Sequence, residues 1–399
     1  MYILLLCGSI YAFSQPYTGE KLSRGLVGIP TDKGMYFSWR MTLDDAPDLQ
    51  FDIYRSTNGG AAIKLNKEPI SQTADFLDEG TDFKVTNRWI LKADNKELAT
   101  WTHSTEEELH PYLSIPIRKP EDGEIAGEHF SYTANDCSIG DLDGDGEYEI
   151  ILKWSPSNSK RPPQRGFTGN TYLDAYKMDG TLLWRIDLGP NIRSGAATTN
   201  FLVFDFNGDG RAEICCKTGD GTVDGTGHTI GDNQADWRTW DKESPTYGKI
   251  VNGPEYLTVF EGKTGKELDT KEYIPTRYPI DGWGGIGGNC GNDNTGGRSD
   301  RFTAGVAFLD GKTPSPVMVR GWYGRTVVCA WTFTNSTLKS IWTFDSAAPG
   351  LEGYSGMGNH SVTIADFDGD SYDEICVGAM TVDHDGKGLF TTGLRHGDA

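Results

Sequence analysis

A short acidic pattern that recurs along the second part of the chain constrains the fold more than any other feature. It reads DLDGDGEYEI at 141–150, DFNGDGRAEI at 205–214 and DFDGDSYDEI at 366–375. A shortened copy, FLDG at 308–311, has lost the first acidic residue. Self-similarity of this kind is typical of repeat architectures, in which each repeat is one supersecondary unit. We therefore expect a fold built from repeated units.

Strand pairs of a second type lie between the acidic copies. Apolar alternation broken by Asp-Gly or Thr-Gly predicts hairpins at 172–184 and 256–265, and a further apolar strand follows at 328–333. One acidic loop and one hairpin together supply about four strands, the content of one propeller blade. No convincing amphipathic helix is present. The prediction is an all-β protein with a β-propeller at 110–399, holding about four blades' worth of sequence and truncated at its C-terminus.

The first part of the chain predicts two more segments. Short alternating strands between 22 and 105 predict a small β-sandwich domain of fibronectin type III character. Residues 1–14 form an apolar run ending in Ala12 and Ser14, the small residues that a signal peptidase prefers. We expect an export signal there, and hence a secreted protein or one in the periplasm or at the cell surface; a buried N-terminal strand is the alternative. No other segment approaches a membrane span.

The formal net charge of −20 bears on the partners of the protein. Nucleic acid is a poor partner for so acidic a chain, because its phosphates repel the protein. A polyanionic substrate would need bound cations to offset the same repulsion, and calcium would supply them. We expect the protein to be a monomer.

The three complete acidic copies have the ligand chemistry of calcium loops. Calcium is a hard cation that takes about six to eight oxygen ligands from flexible loops. Oxygens at positions 1, 3 and 5 converge on the ion, Gly at position 4 permits the turn, and the acid at position 9 closes the site. One copy alone is consistent with an ordinary acidic surface turn, whereas three copies in register favour metal binding. The predicted ligands are Asp141, Asp143, Asp145, Glu149, Asp205, Asn207, Asp209, Glu213, Asp366, Asp368, Asp370 and Glu374.

The seven histidines are less informative than the acidic copies. His360 and His396 lie beside Gly residues at predicted blade edges, and their spacing alone leaves metal ligation open. We interpret the other five as ordinary polar side chains whose hydrogen bonds are satisfied within the fold. They are His103, His110, His129, His228 and His384.

Several longer stretches resemble the rhamnogalacturonan lyases of polysaccharide lyase family 11. They are Asn135-Asp136, GDLDGDGEYEIILKW at 140–154, PSNSK at 156–160, GNTYLDAYK at 169–177, DGTVDGTG at 220–227, GPEYLTVF at 253–260, GNH at 358–360 and HGDA at 396–399. The resemblance covers nearly the whole chain after the predicted export signal. It implies an N-terminal β domain followed by an eight-bladed, calcium-rich propeller, whose C-terminal portion is missing here.

The resemblance also implies a reaction, β-elimination in the backbone of rhamnogalacturonan I, in which rhamnose and galacturonate alternate. The proton on C5 of galacturonate is removed, the bond at O4 to rhamnose breaks, and an unsaturated uronate remains. Calcium or an arginine neutralises the adjacent carboxylate, and a Lys, Arg or His base takes the proton. We expect that base to lie beyond Ala399.

Five residues acquire expected roles from the resemblance. Asn135 matches a position in the substrate cleft, and Ser155 stands where an aspartate of the cleft is expected. A metal-binding group beside the cleft is matched by His360, His396 and Asp398.

The chain departs from the family pattern at Ser155 and again at 195–199. The second stretch reads GAATT where the family has a His-Tyr pair after Gly-Ala. Both departures point to a divergent subgroup, with an altered substrate preference or weak activity.

The residues alone leave two other functions open. The first is a non-catalytic, calcium-binding propeller of the integrin type that binds a glycan or a protein. The second is a hydrolase on the same fold, which needs two catalytic carboxylates at a fixed separation. The stretches at 153–160 and 220–227 favour the lyase, because structural calcium loops do not require them.

Overall fold

The structure is a computed structural model made of strands and turns. Among its described residues the one helical element is a single 3₁₀ turn, Glu352–Tyr354, which confirms the predicted all-β class. The described helical residues include no apolar segment long enough to cross a membrane. The residues that the structure describes are 19–42, 44–105, 108–284, 291 and 294–396. The predicted export signal at 1–14 and Asp398 lie outside them.

The chain divides into two compact units, and the smaller, N-terminal unit comprises residues 21–116 and 144–148. Its strands are β1 (Val27–Thr31), β2 (Gly34–Ser38), β3 (Asp52–Thr57), β4 (Ile63–Lys64), β5 (Asp75–Asp78), β6 (Asn87–Ala93) and β7 (Lys96–His103). They form one sheet of order β1-β2-β5 and another of order β4-β3-β6-β7. Alternate residues of a strand face the same side, so each sheet can present one apolar face. Phe37 of the first sheet and Trp89 of the second are buried in one hydrophobic cluster.

The larger unit takes the rest of the described chain. Its strands are β8 (Gly123–Ile125), β9 (Glu128–Phe130), β10 (Tyr132–Gly140), β11 (Glu149–Pro156), β12 (Tyr172–Tyr176), β13 (Leu182–Asp187), β14 (Phe201–Phe204), β15 (Glu213–Thr218), β16 (Thr222–Val223), β17 (Thr229–Ile230), β18 (Tyr256–Phe260), β19 (Glu267–Glu272), β20 (Phe302–Ala307), β21 (Ser315–Arg320), β22 (Val327–Thr334), β23 (Thr337–Asp345), β24 (Thr363–Ala365), β25 (Glu374–Val377), β26 (Met380–Val382) and β27 (Gly388–Thr391).

Four antiparallel sheets and the hairpin β8-β9 make up the larger unit. Three sheets have four strands each, in the orders β14-β15-β18-β19, β20-β21-β22-β23 and β24-β25-β26-β27. The sheet that begins with β10 has the order β10-β11-β12-β13-β16-β17. Its last two strands come from the segment between β15 and β18, and β16 joins the sheet by pairing with β13. The first strands of successive sheets contact one another, β10 with β14, β14 with β20, and β20 with β24.

Hydrophobic clusters fill the spaces between successive sheets. Cys215 and Cys216 are adjacent on β15 and therefore face opposite sides of their sheet. Cys216 packs in a cluster with Trp184 of the preceding sheet, whereas Cys215 packs in another with Met318 of the following sheet. A third cluster joins the last two sheets. Each sheet is thus buried on both faces or against one neighbour, and the loops at its edge remain accessible.

Candidate metal centres and cleft

Each complete acidic loop of the sequence joins the first strand of a sheet to its second strand. The residue before each loop pairs with the glutamate at position 9, in the pairs Gly140–Glu149, Phe204–Glu213 and Ala365–Glu374. Because the aspartate at position 1 follows the paired residue, it lies at the same sheet edge as that glutamate.

The carboxylates of each loop converge. In every loop, one oxygen from each of three acidic side chains lies within 4.8 Å of the other two. The three groups are Asp141–Asp143–Glu149, Asp205–Asp209–Glu213 and Asp366–Asp368–Glu374. The glutamate is buried in all three groups, and its Oε2 accepts the backbone N–H of position 2 at 2.7–2.9 Å. The strand pairing and this bond fix the carboxylate at the base of the loop.

Glycines give the loop backbone its tight turn. Gly208 and Gly210 have φ of 76° and 89°, a region that side chains disfavour. With this backbone, the N–H groups of Gly208, Asp209 and Gly210 donate to the carboxylate of Asp205 at 2.7, 3.1 and 2.8 Å. In the third loop Ser371 takes the corresponding position at φ 77°, which is strained for a residue with a side chain.

In the second loop the carboxylates of Asp205, Asp209 and Glu213 repel one another. Burial, with the nearby charges of Asp205 and Asp209, raises the pKa of Glu213 to about 8. Burial also raises the pKa of Asp205. Asn207 Nδ2 donates to Glu213 Oε1 at 2.6 Å, so this predicted ligand presents its amide nitrogen to the carboxylate. A divalent cation among these oxygens would relieve the repulsion.

The first loop has a competing cation of its own. Lys177 Nζ lies 2.7 Å from Asp143 Oδ2 and 3.8 Å from Glu149 Oε1. Asp145 belongs to the segment 144–148 of the N-terminal unit, where its Oδ1 accepts the backbone N–H of Glu147 at 2.9 Å. A metal ion at this loop must therefore displace a lysine ammonium group.

The donor set of the three loops suits calcium. Each convergent group consists of carboxylate oxygens, which are the ligands that hard cations take. In the third loop Glu374 Oε1 is buried and has no hydrogen-bond partner in the described structure. Such an orphaned carboxylate oxygen fits a position that a cation would fill.

The structure adds His384 to the third loop, although the sequence analysis predicted only an ordinary polar role for this residue. Its Nδ1 lies 3.5 Å from Asp370 Oδ2, and Asp370, Glu374 and His384 form a further convergent group. His384 follows β26, and the pairing of Val382 with Ile375 brings it back to the loop. The Asp-Gly turn at 385–386 was the only local signal for this hairpin, and it does not specify the register.

His360 and His396 are brought together, with ring centroids 5.1 Å apart. His360 Nε2 lies 2.8 Å from the hydroxyl oxygen of Tyr323, and His396 Nδ1 contacts the carbonyl oxygen of Gly358. Asp398, their expected companion, is outside the described residues. A cleft of about 470 Å³ borders this group, and Arg301 is among its lining residues.

Asn135 and Ser155 lie on the paired strands β10 and β11. The pairing shifts register between Ala134 and Cys137, so the exposed Asn135 stands in an irregular, bulged segment. Ser155 is half-buried and pairs with Thr133. Bulges of this kind re-aim side chains next to functional sites.

A buried ion cluster joins the second and third sheets, and sequence reasoning missed it. Glu255 lies 2.9 Å from Lys217 Nζ, 2.8 Å from Arg277 and 2.8 Å from Arg320. Burial alone would raise the pKa of Glu255, but the positive charges of Arg320, Lys217 and Arg277 hold it well below its usual range. No pattern in the sequence indicates that these four residues meet.

Comparison with protein families decides the identity of the chain. The description "Rhamnogalacturonan lyase family 11, C-terminal domain" matches residues 112–399, and "Rhamnogalacturonan I lyases beta-sheet domain" matches residues 17–101. The chain belongs to rhamnogalacturonan lyase family 11. The resemblance predicted from the sequence is thereby confirmed.

Two curated family 11 relatives come from Bacillus subtilis (strain 168). Rhamnogalacturonan exolyase YesX is 49% identical over 387 residues, which are 95% of this chain and 59% of the relative. Rhamnogalacturonan endolyase YesW is 46% identical over 388 residues, 95% of this chain and 58% of the relative. The chain therefore spans less than two thirds of the length of either relative.

Solved family 11 structures have the same fold. The crystal structure of the exotype rhamnogalacturonan lyase YesX superposes with a TM-score of 0.86 at 47% identity, covering 97% of this chain and 61% of that one. Bacillus licheniformis rhamnogalacturonan lyase PL11 gives 0.85 at 48% identity, covering 97% and 63%.

Proposed function

We propose that this protein is a secreted, calcium-binding rhamnogalacturonan I lyase that degrades pectin by β-elimination. The observation that carries the proposal is its 49% identity to an exolyase over 95% of the chain. The second relative at similar identity is an endolyase, so the choice between end-on and internal cleavage is left to experiment.

The reaction requires charge neutralisation before it requires a base. A base removes the proton from C5 of galacturonate, the bond between C4 and O4 breaks, O4 leaves with rhamnose and takes up a proton, and a 4,5-unsaturated uronate remains. The C5 proton is weakly acidic while the neighbouring carboxylate is charged. Bound calcium would supply positive charge to this carboxylate.

The chain's own residues would bind and orient the polymer. Asn135 is exposed on the bulge of β10, where its amide can donate to and accept from sugar hydroxyl groups. The half-buried Tyr323 and the buried Trp322 line the cleft, and Arg301, which lies over both rings, adds a positive charge suited to a uronate. Ser155 takes an uncharged side chain to the position where the family pattern leads us to expect an aspartate, which would reduce repulsion with an anionic sugar.

We also propose that the four sheets of the larger unit are blades of a β-propeller at 110–399 and that 22–105 is a β-sandwich. The propeller is supported by the contacts between the first strands of successive sheets and by the hydrophobic cluster between each neighbouring pair. The sandwich is supported by the single core that two sheets share. Export through an N-terminal signal at 1–14 and a monomeric state complete the proposal.

The test is incubation of the full-length protein with rhamnogalacturonan I, with and without a calcium chelator. We expect new ultraviolet absorbance from the unsaturated uronate, and its loss when calcium is removed. Asn135→Ala should lower kcat/KM, whereas the exposed Asn233→Ala, a matched control, should not. Reducing ends without that absorbance would indicate hydrolysis, and binding of an unchanged polymer would indicate a non-catalytic module; either result contradicts the proposal.

A further inference from the structure

The third acidic loop offers two overlapping sets of metal ligands. Asp366, Asp368 and Glu374 form an oxygen-only group, and Glu374 also converges with Asp370 and His384. Within each group, the ligand atoms lie within 4.8 Å of one another. Among the described residues, the group with His384 is the only one of these that contains a nitrogen ligand.

Glu374 is the shared member of both groups and is fully buried, with 0% of its surface exposed. Its Oε2 accepts the N–H of Phe367 at 2.7 Å, whereas Oε1 has no hydrogen-bond partner in the described structure. Leaving a buried polar group without a hydrogen-bond partner is unfavourable, and more so when the group is charged. The unpaired oxygen therefore points to a ligand that supplies positive charge at this position.

The imidazole of His384 is held at the loop by its surroundings. Trp342 Nε1 donates to the His384 carbonyl oxygen at 2.9 Å, which fixes the backbone. The ring packs against Tyr372, with centroids 4.6 Å apart and planes inclined by 36°. Nδ1 then lies 3.5 Å from Asp370 Oδ2 and 2.7 Å from Asp383 Oδ1. A second carboxylate, that of Asp383, therefore lies beside the same nitrogen atom.

We propose that Asp370, Glu374 and His384 of the third loop bind a divalent first-row transition-metal ion in preference to calcium, while the first and second loops, whose convergent groups contain only carboxylates, bind calcium. Imidazole nitrogen suits zinc, nickel, copper and iron, whereas sites built only from carboxylates suit calcium and magnesium. Zinc bonds to nitrogen and carboxylate oxygen are about 2.0–2.2 Å long, so two ligand atoms of a tetrahedral ion lie roughly 3.4 Å apart. His384 Nδ1 and Asp370 Oδ2 are 3.5 Å apart, and the ligand atoms of all three residues lie within 4.8 Å of one another. The proposal does not depend on the lyase reaction.

Cobalt(II) is the probe, because its visible absorption reports nitrogen and oxygen coordination. The metal-stripped chain, carrying Cys137→Ser to remove the exposed thiol, is first loaded with excess calcium and then titrated with cobalt. We expect one cobalt ion per chain to bind despite the calcium, with a spectrum that zinc abolishes. His384→Asn should weaken this binding at least tenfold, and the exposed His129→Asn should leave it unchanged.

A second substitution keeps the test decisive if His384→Asn folds poorly. His384→Asp replaces the nitrogen ligand by an oxygen ligand, so calcium affinity at the third loop should rise while cobalt affinity falls. The pair His360 and His396, whose ring centroids are 5.1 Å apart, is a rival cobalt site, and His360→Asn should leave the calcium-resistant cobalt signal in place. A signal that survives His384→Asn and disappears with His360→Asn would overturn the proposal, as would cobalt that excess calcium displaces completely.

Discussion

At the scale of single residues, the acidic loops are sites where like charges are held together by the strand pairing. Glu213 is buried beside Asp205 and Asp209, and this environment raises its pKa to about 8. At pH 7 the side chain of Glu213 would therefore be mostly protonated when no cation is bound. Binding of calcium requires the ionised form, so metal binding and proton release are linked.

We predict that calcium binding at pH 7 releases close to one proton from the second loop. Because the pKa of Glu213 is about 8, its proton leaves when the cation enters, and calcium affinity rises with pH up to that value. Calorimetric titration in buffers of different ionisation enthalpy measures the count. Glu213→Gln should remove that proton and weaken the site, and an unchanged count in this variant would refute the assignment.

A second prediction concerns Lys177, which lies among the carboxylates of the first loop. Lys177→Gln removes the competing ammonium, so calcium should bind there about fivefold more tightly, equivalent to roughly 1 kcal/mol. Lys339→Gln, at an exposed position on another sheet, is the matched control. Calorimetric titration with calcium measures the affinity of both variants. Weaker binding by the Lys177 variant would contradict the prediction and would show that the lysine supports the site.

At the scale of elements, Glu255 connects strands that are distant in sequence. It lies just before β18 and contacts Lys217 on β15 and Arg320 at the end of β21. The ion pairs therefore bridge two successive sheets. Removing one partner of a buried pair leaves the others uncompensated, which is unfavourable by about 3–5 kcal/mol.

The predicted pH dependence follows from the direction of the Glu255 pKa shift. Its folded-state pKa lies below the unfolded value of about 4.3, so its stabilisation is complete above that pH and is lost as the pH falls below it. Glu255→Gln should lower the free energy of unfolding by about 3–5 kcal/mol at pH 7. The loss relative to the native chain should shrink as urea denaturation is repeated toward pH 3. The exposed Glu272→Gln should behave as the native chain, and an equal loss at every pH would contradict this account.

Local patterns predicted the elements better than the contacts between them. The acidic repeats predicted the loops because the Asp-Gly sequence specifies both the turn and the ligands over ten consecutive positions. The sequence did not predict that His384 and Lys177 contact the acidic loops. Each of them lies in another hairpin of the same sheet, and the strand register that brings this hairpin to the loop is not encoded in the local sequence. The Glu255 cluster was missed for a related reason, since Glu255 and Arg320 meet only when two sheets pack.

At the scale of the whole molecule, the loops tie the first two strands of three sheets together at their edges. Burial between sheets stabilises the larger unit, and bound cations would add stability by mass action, about 2.7 kcal/mol for each site at a hundredfold excess of free calcium over Kd. Chelation should therefore increase hydrogen exchange at 205–216 and 366–377. Exchange at 27–38 in the N-terminal unit should not change, and equal increases in both places would argue against a local metal effect.

The most direct measurement is a crystal structure of the full-length protein grown with calcium, with the ions located by anomalous scattering. The account predicts calcium at the carboxylates of 141–149 and 205–213 and a bound metal ion at those of 366–374, on sheets whose first strands surround one common axis. Loops free of metal at saturating calcium, or sheets arranged without such an axis, would contradict it.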